Sequence, residues 1–256
     1  MALLRQSPRD WGFKRSRWRL QDVLVVVGEW LNVSCVSALW RVLKRLDISY
    51  RHSWAYAVSP DPFATEKLAW IDEVCEQAQA HPDQVLVLWL DELTVYQSPS
   101  EAPVWGASEG RARKAIQATK QAQICRIVGT LSHTTGEVRF HARQKVGVKA
   151  LCQFYAYLRQ EYPNYERIYV IQDCCPTHFH DKVCAAADKA DITMVPLPTY
   201  SSWRNPIEQL WRWLKQDVLH MHPWHDNWNA LKQAMRDFLK RFRQPNQELL
   251  HYVGLS

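Results

Sequence analysis

Nowhere in this sequence do about 18 apolar residues run together, the length a membrane-spanning helix needs. The opening stretch, MALLRQSPRDWGFKRSR, holds no apolar core long enough for a secretory signal. The cysteines Cys35, Cys75, Cys125, Cys152, Cys174, Cys175 and Cys184 are odd in number, irregularly spaced and include no Cys-x-x-Cys pair. That spacing argues against a disulfide frame and for reduced thiols in a cytoplasm. Cys174 and Cys175 with His178 and His180 also lack zinc-finger spacing. There is no internal repeat and no low-complexity tract. Membrane and secreted classes are set aside, and a soluble cytoplasmic protein is expected.

The 256 residues suffice for one large domain, or for a small domain followed by a medium one. Hydrophobic residues at 47% and charged residues at 23% describe an ordinary globular chain. A formal charge of +6 and a pI near 8.9 favour a polyanionic partner.

Residues 1–60 read as a small basic helical module and a linker. Helical apolar spacing runs from Leu20 to Trp30, Asn32 to Ser34 breaks it, and Ser34 is a candidate cap for a second helix through Val36, Leu39, Trp40 and Leu43. Arg41, Lys44 and Arg45 on that second helix suit either a helix-turn-helix reading a DNA groove or a helical hairpin with a solvated basic face. Val58-Ser59-Pro60-Asp61-Pro62 has linker composition.

Residues 61–256 alternate strands and helices. A helix is expected over Phe63 to Ala80, and a buried strand over Val85 to Leu90, ending at Asp91. Ile124 to Leu131 and Glu137 to Arg143 form a hairpin pattern. A helix near Lys149 to Gln160 leads to a strand from Arg167 to Gln172 that ends at Asp173. Then come a helix over 177–189, a strand over Ile192 to Val195, and helices over Asn205 to Val218 and Trp228 to Phe242. The order predicts an α/β fold, a mixed sheet with helices packed on it, in which ligands gather at the carboxyl ends of the strands.

Asp91, Asp173 and Glu208 can converge there. Each has a plain alternative role: strand end, turn start, and complement to a helix N-terminus with Asn205 as cap and Pro206 in the first turn. Three converging carboxylates repel one another unless a cation sits among them, and hard oxygen donors suit Mg²⁺ or Mn²⁺. Two such ions activate an attacking oxygen and stabilise a leaving one at a phosphodiester.

The segments LWLDELTVYQSPSEAPVWGASEG, YVIQDCCPTH and LPTYSSWRNPIEQLWRWLK resemble, in order and spacing, the catalytic blocks of DDE transposases of the mariner superfamily, in its bacterial insertion-sequence branch. Between Asp173 and Glu208 lie 34 residues, the spacing of that superfamily's pattern. SPRDWGFKRSRWRL and the helix pair after it look like the second, winged half of the family's helix-turn-helix region. The resemblance implies a ribonuclease H-like fold, with Asp91, Asp173 and Glu208 holding two Mg²⁺ or Mn²⁺ ions. It further implies hydrolysis at transposon terminal inverted repeats, strand transfer into double-stranded target DNA, often at TA, and a homodimer. Cys174 stands where the family often has Asn, and Ser202 where proline is common. Relatives also carry a further upstream helix-turn-helix. Its absence raises the alternatives of a truncated DNA-binding remnant, the second product of a split gene, or a ribonuclease H-like nuclease without strand transfer.

Other residues are open between two roles. His178 orients a phosphate or a metal-bound water, or is a loop histidine without a role. Arg212 and Lys215 share a helix face with Glu208 and contact DNA, or Arg212 pairs with Glu208. Arg111, Arg113 and Lys114 contact phosphate or form a solvated loop. Trp211 stacks on a base or packs in the core.

Overall fold

The computed structural model describes residues 2–49, 59–103, 114–118 and 122–255. They divide into two units, Met1–Tyr56 and Ala57–Ser256.

In the first unit, α1 (Ala2–Arg5) is followed by a 3-10 turn, Pro8–Trp11, and by α2 (Leu20–Val27) and α3 (Val36–Arg45). Ser7 and Asp10 close a reciprocal capping box around the turn, and Asp22 accepts from the Arg19 backbone N–H at 3.0 Å to start α2. Leu39 anchors α3 with no exposed surface. The residue before α3 is Cys35, which makes no side-chain cap, so the capping role read for Ser34 is not taken up. Arg41, Lys44 and Arg45 are all exposed, with the Lys44 ammonium 5.0 Å from the centre of the Trp40 ring. The described residues of this unit contain no strand, and 50–58, where a wing would follow, lie outside them.

The second unit is built on a five-stranded sheet in the order β3-β2-β1-β4-β5, with β1 (Val85–Tyr96), β2 (Ile124–Ser132), β3 (Val138–Arg143), β4 (Arg167–Gln172) and β5 (Ile192–Pro196). β1, β2 and β3 form an antiparallel meander, while β4 and β5 join β1 in parallel. Side chains alternate across β1. Val85, Val87, Trp89, Leu93 and Val95 enter a core closed by α4 (Ala64–Ala80), α7 (Ile207–Leu214), α8 (Trp228–Lys240) and α9 (Gln247–Val253). Leu86, Leu88 and Leu90 enter the other, closed by α5 (Val148–Glu161) and α6 (Asp181–Lys189). This is the expected mixed sheet flanked by helices. Among the described residues, no helix is long and apolar enough to cross a membrane.

Four details, in three elements, differ from expectation. β1 does not stop at Leu90 but continues to Tyr96, paired with β2 beyond the point where β4 ends. Residues 177–180 precede α6 rather than belong to it. The last catalytic-block helix is α-helical only to Leu214 and finishes as a π turn, Lys215–Leu219. Asn205 does not cap α7: Pro206 holds the cap position, and the Asn205 side chain goes elsewhere.

Candidate active site

Asp91 lies in the middle of β1, opposite Gly129 of β2, on the sheet face covered by α7. A methyl group at residue 129 would lie 2.8 Å from Cη2 of Trp211. The glycine is therefore what lets the Trp211 ring lie against the sheet. From there Trp211 Nε1 donates to Asp91 Oδ2 at 3.0 Å. α7 is pinned at its start as well, because Asn205 Nδ2 donates to the Leu90 backbone carbonyl at 2.9 Å, one residue before the aspartate. Glu208, in the first turn of this anchored helix, is half-buried and near enough for its charge to act on Asp91.

Burial pushes the Asp91 carboxyl up to about 7, and the neighbouring charges of Glu92 and Glu208 push the same way. The Glu92 backbone and Trp211 hydrogen bonds offset this only partly. No ion pair reaches Asp91 among the described residues. Two adjacent carboxylates without a countercharge, offering hard oxygen donors, fit a divalent cation such as Mg²⁺ or Mn²⁺.

Asp173 follows β4, the parallel neighbour of β1. Its Oδ1 accepts from the Cys175 backbone N–H at 3.1 Å and meets His178 Nδ1 at 2.7 Å. The other ring nitrogen, Nε2, meets Glu92 Oε1 at 2.7 Å. With carboxylate oxygens at both nitrogens, a doubly protonated imidazolium satisfies both contacts. Burial alone would lower the His178 pKa, but the two carboxylate hydrogen bonds outweigh it and raise the value to about 10. The same His178 hydrogen bond holds Asp173 below the usual carboxylate range. Asp173 is nevertheless 59% exposed, which leaves its outer edge open to solvent.

The structure thus places Glu208 within electrostatic reach of Asp91, while Asp173, just after the neighbouring strand, is paired with His178. Among the described residues, no three His, Cys, Asp or Glu side chains stand ready to hold one ion. The sequence reading ends the strand at Asp91 and assigns no role to Glu92, which the structure places within β1. Its link to the site runs through His178, and the one signal was the pairing of acids in LDEL. Cys174 donates its thiol to the Leu197 carbonyl at 3.1 Å, joining the ends of β4 and β5. Arg212 and Lys215 are exposed, and Arg212 forms no ion pair with Glu208. Lys114 is exposed, while Arg111 and Arg113 lie outside the described residues.

The central strand carries Asp91 under a helix bearing Glu208, and Asp173 follows the parallel neighbour, on a mixed sheet flanked by helices. The chain belongs to the DDE superfamily endonuclease family, whose model matches residues 65–243. It is 25% identical over 244 residues to an insertion element IS630 uncharacterized 39 kDa protein of Shigella sonnei, covering 93% of this chain and 68% of that protein. Among solved structures it resembles the Mos1 transposase paired-end complex with left transposon end, with a TM-score of 0.62 at 14% identity, covering 92% of this chain and 73% of that one. It also resembles the mariner Mos1 paired end complex with Mg, with a TM-score of 0.55 at 13% identity over 94% and 77%. At such identities these two likenesses speak to the fold.

Proposed function

We propose that the protein is a transposase that cuts DNA at transposon ends and joins the freed end to target DNA. The observation that carries this reading is the Asp91 and Glu208 pair, clamped by Trp211 and Asn205 and lacking a countercharge, in a chain of the DDE endonuclease family. Relatives that are an insertion-element protein and transposase complexes support it.

In this reading Asp91, Asp173 and Glu208 hold divalent Mg²⁺ or Mn²⁺, two ions being the number the chemistry favours. Bound there, the ions would polarise the scissile phosphate and lower the pKa of an attacking water or 3′-hydroxyl. The protein's own part is placement. Trp211 fixes one Asp91 oxygen, Asn205 sets the height of Glu208 above β1, and His178 holds Asp173 until a ligand competes for it. Arg212, Lys215 and Lys114, all exposed, together with Arg111 and Arg113, would take DNA phosphates. Arg41, Lys44 and Arg45 of the 1–60 module would read duplex DNA, with 61–256 doing the chemistry. The DNA would comprise terminal inverted repeats and TA target sites, engaged by a homodimer in the cytoplasm.

The test is a plasmid carrying the inverted repeats that flank the gene, incubated with protein and Mg²⁺ or Mn²⁺. Cutting at the repeats and joining to a second DNA are expected. Asp91→Asn and Glu208→Gln should each reduce both steps to background while DNA binding in a gel-shift assay is kept. Normal cutting by either variant removes these residues from the mechanism, and cutting without joining reduces the protein to a nuclease.

A further inference from the structure

Away from the acidic pair, the amino end of β2 and the carboxyl end of β3 border a groove of about 850 Å³ closed on one side by α8. A second hollow of about 410 Å³ shares Arg143 and Lys145 with it and leads to the start of α5. Six cations line the two: Arg126, Arg143, Lys145, Lys149, Lys232 and Arg236. The linings include no Asp or Glu, and none of the six forms an ion pair with a described carboxylate.

Two details make this more than a solvated basic face. The β2–β3 register sets Arg126 directly opposite Arg143, a like-charge cross-strand pair that disfavours the sheet when nothing anionic lies between. On α8, Trp228, Lys232 and Arg236 recur every four residues, so they form one stripe, with the Lys232 ammonium 5.8 Å from the Trp228 ring. The opposite stripe, Leu231, Met235, Phe238 and Leu239, is buried in the core. The cations therefore wrap the end of the hairpin from α8 on one face of the sheet to α5 on the other.

Geometry ties the track to the acids. β1 and β4 run in parallel toward the end of the sheet at which β2 begins and β3 finishes. Arg126 stands three residues before Gly129, the cross-strand neighbour of Asp91, or about 10 Å along the strand.

We propose that this track binds the phosphate backbone of a DNA duplex, on the stretch that runs past β2 and β3 from the phosphate held at the acidic pair. The inference rests on the DNA-cutting reading and adds to it where the rest of the duplex lies. A row of unpaired, like-charged side chains is the surface a polyanion with regular phosphate spacing fits, and each contact releases counterions on binding.

The test measures binding of the full chain to a short DNA duplex by fluorescence anisotropy in EDTA across a salt series. Lys232→Gln/Arg236→Gln and Arg126→Gln/Arg143→Gln should each flatten the slope of log K against log salt by roughly 1 to 2, near 0.9 per lost phosphate contact. Lys182→Gln/Lys189→Gln, on exposed positions of α6, removes the same charge elsewhere and should leave the slope unchanged. Equal changes in all three pairs, or no change in the two track pairs, would overturn the proposal. Thermal melts of each variant exclude misfolding. Because EDTA removes cleavage from the measurement, a flat result here leaves the cutting assay standing, and a protein that fails to cut still yields a valid slope.

Discussion

His178 shows how much a single side chain is asked to balance. It is 3% exposed and sits between two carboxylates from different elements, so its charge is matched twice. With a folded pKa near 10 against an ordinary 6.5, the stabilisation it brings is complete below pH 6.5 and is lost as pH rises through about 10. An NMR titration of the metal-free protein should therefore find the His178 ring still an imidazolium at pH 8. A midpoint close to 6.5 would show that the two carboxylate contacts are not formed. His178→Gln, which keeps one hydrogen bond and loses the charge, should free Asp173 and remove the alkaline loss of stability. From the sequence this residue was legible as a histidine five positions after an acid, orienting a phosphate or a metal-bound water or without a role. Its second partner, Glu92, lies 86 residues away, and no local pattern links the two.

At the scale of elements, the clamp of α7 on the sheet depends on a void. Gly129→Ala would press a methyl group into the Trp211 ring, forcing the helix outward, at a cost of about 1 to 3 kcal/mol in unfolding free energy. Trp211→Phe keeps the packing but removes the donor to Asp91, which should cost about 1 kcal/mol and raise the Asp91 pKa above about 7. Urea melts and a carboxyl titration by infrared spectroscopy check both. An unchanged Asp91 titration in the phenylalanine variant would contradict the clamp. The apolar run of β1 made its first half legible, since those residues are buried on both faces. Its second half was not, because beyond Leu90 the parallel neighbour ends and the strand alternates instead. The Asn-Pro pair before α7 looked like a cap and first turn, yet the asparagine is spent on the Leu90 carbonyl, a tertiary contact that local sequence does not encode. Trp211 read as packing, and it does pack, but its indole N–H gives it the second task. α9 is short, seven residues, and was not read at all.

At the scale of the whole second unit, the chain's entry is fastened to the loop that precedes α7. Asp61 accepts from Lys67 Nζ at 2.7 Å and from the Thr199 backbone N–H at 3.1 Å, while Ser59 donates to the Thr199 carbonyl at 2.6 Å. The Lys67 hydrogen bond, followed by those of the Thr199 and Phe63 backbones, lowers the Asp61 pKa from 3.8 to about 2. Its contribution to stability is thus present above pH 3.8 and lost as pH falls toward 2. Asp61→Asn should lower the melting temperature at neutral pH and narrow the gap to the parent protein as the acid is titrated. A constant gap from pH 7 to pH 2 would show that the carboxylate plays no part. The mixed sheet itself was legible from the alternation of strands and helices, because each strand's run and each helix's stripe answer to one neighbouring layer. The spatial order β3-β2-β1-β4-β5 was not, since it rests on which distant strands pair.

The three candidate acids are contributed at positions 91, 173 and 208, the last of them from a helix that follows every described strand in the chain. If the proposed chemistry needs all three, a polypeptide ending between β5 and α7 would carry every described strand and still lack one of the acids.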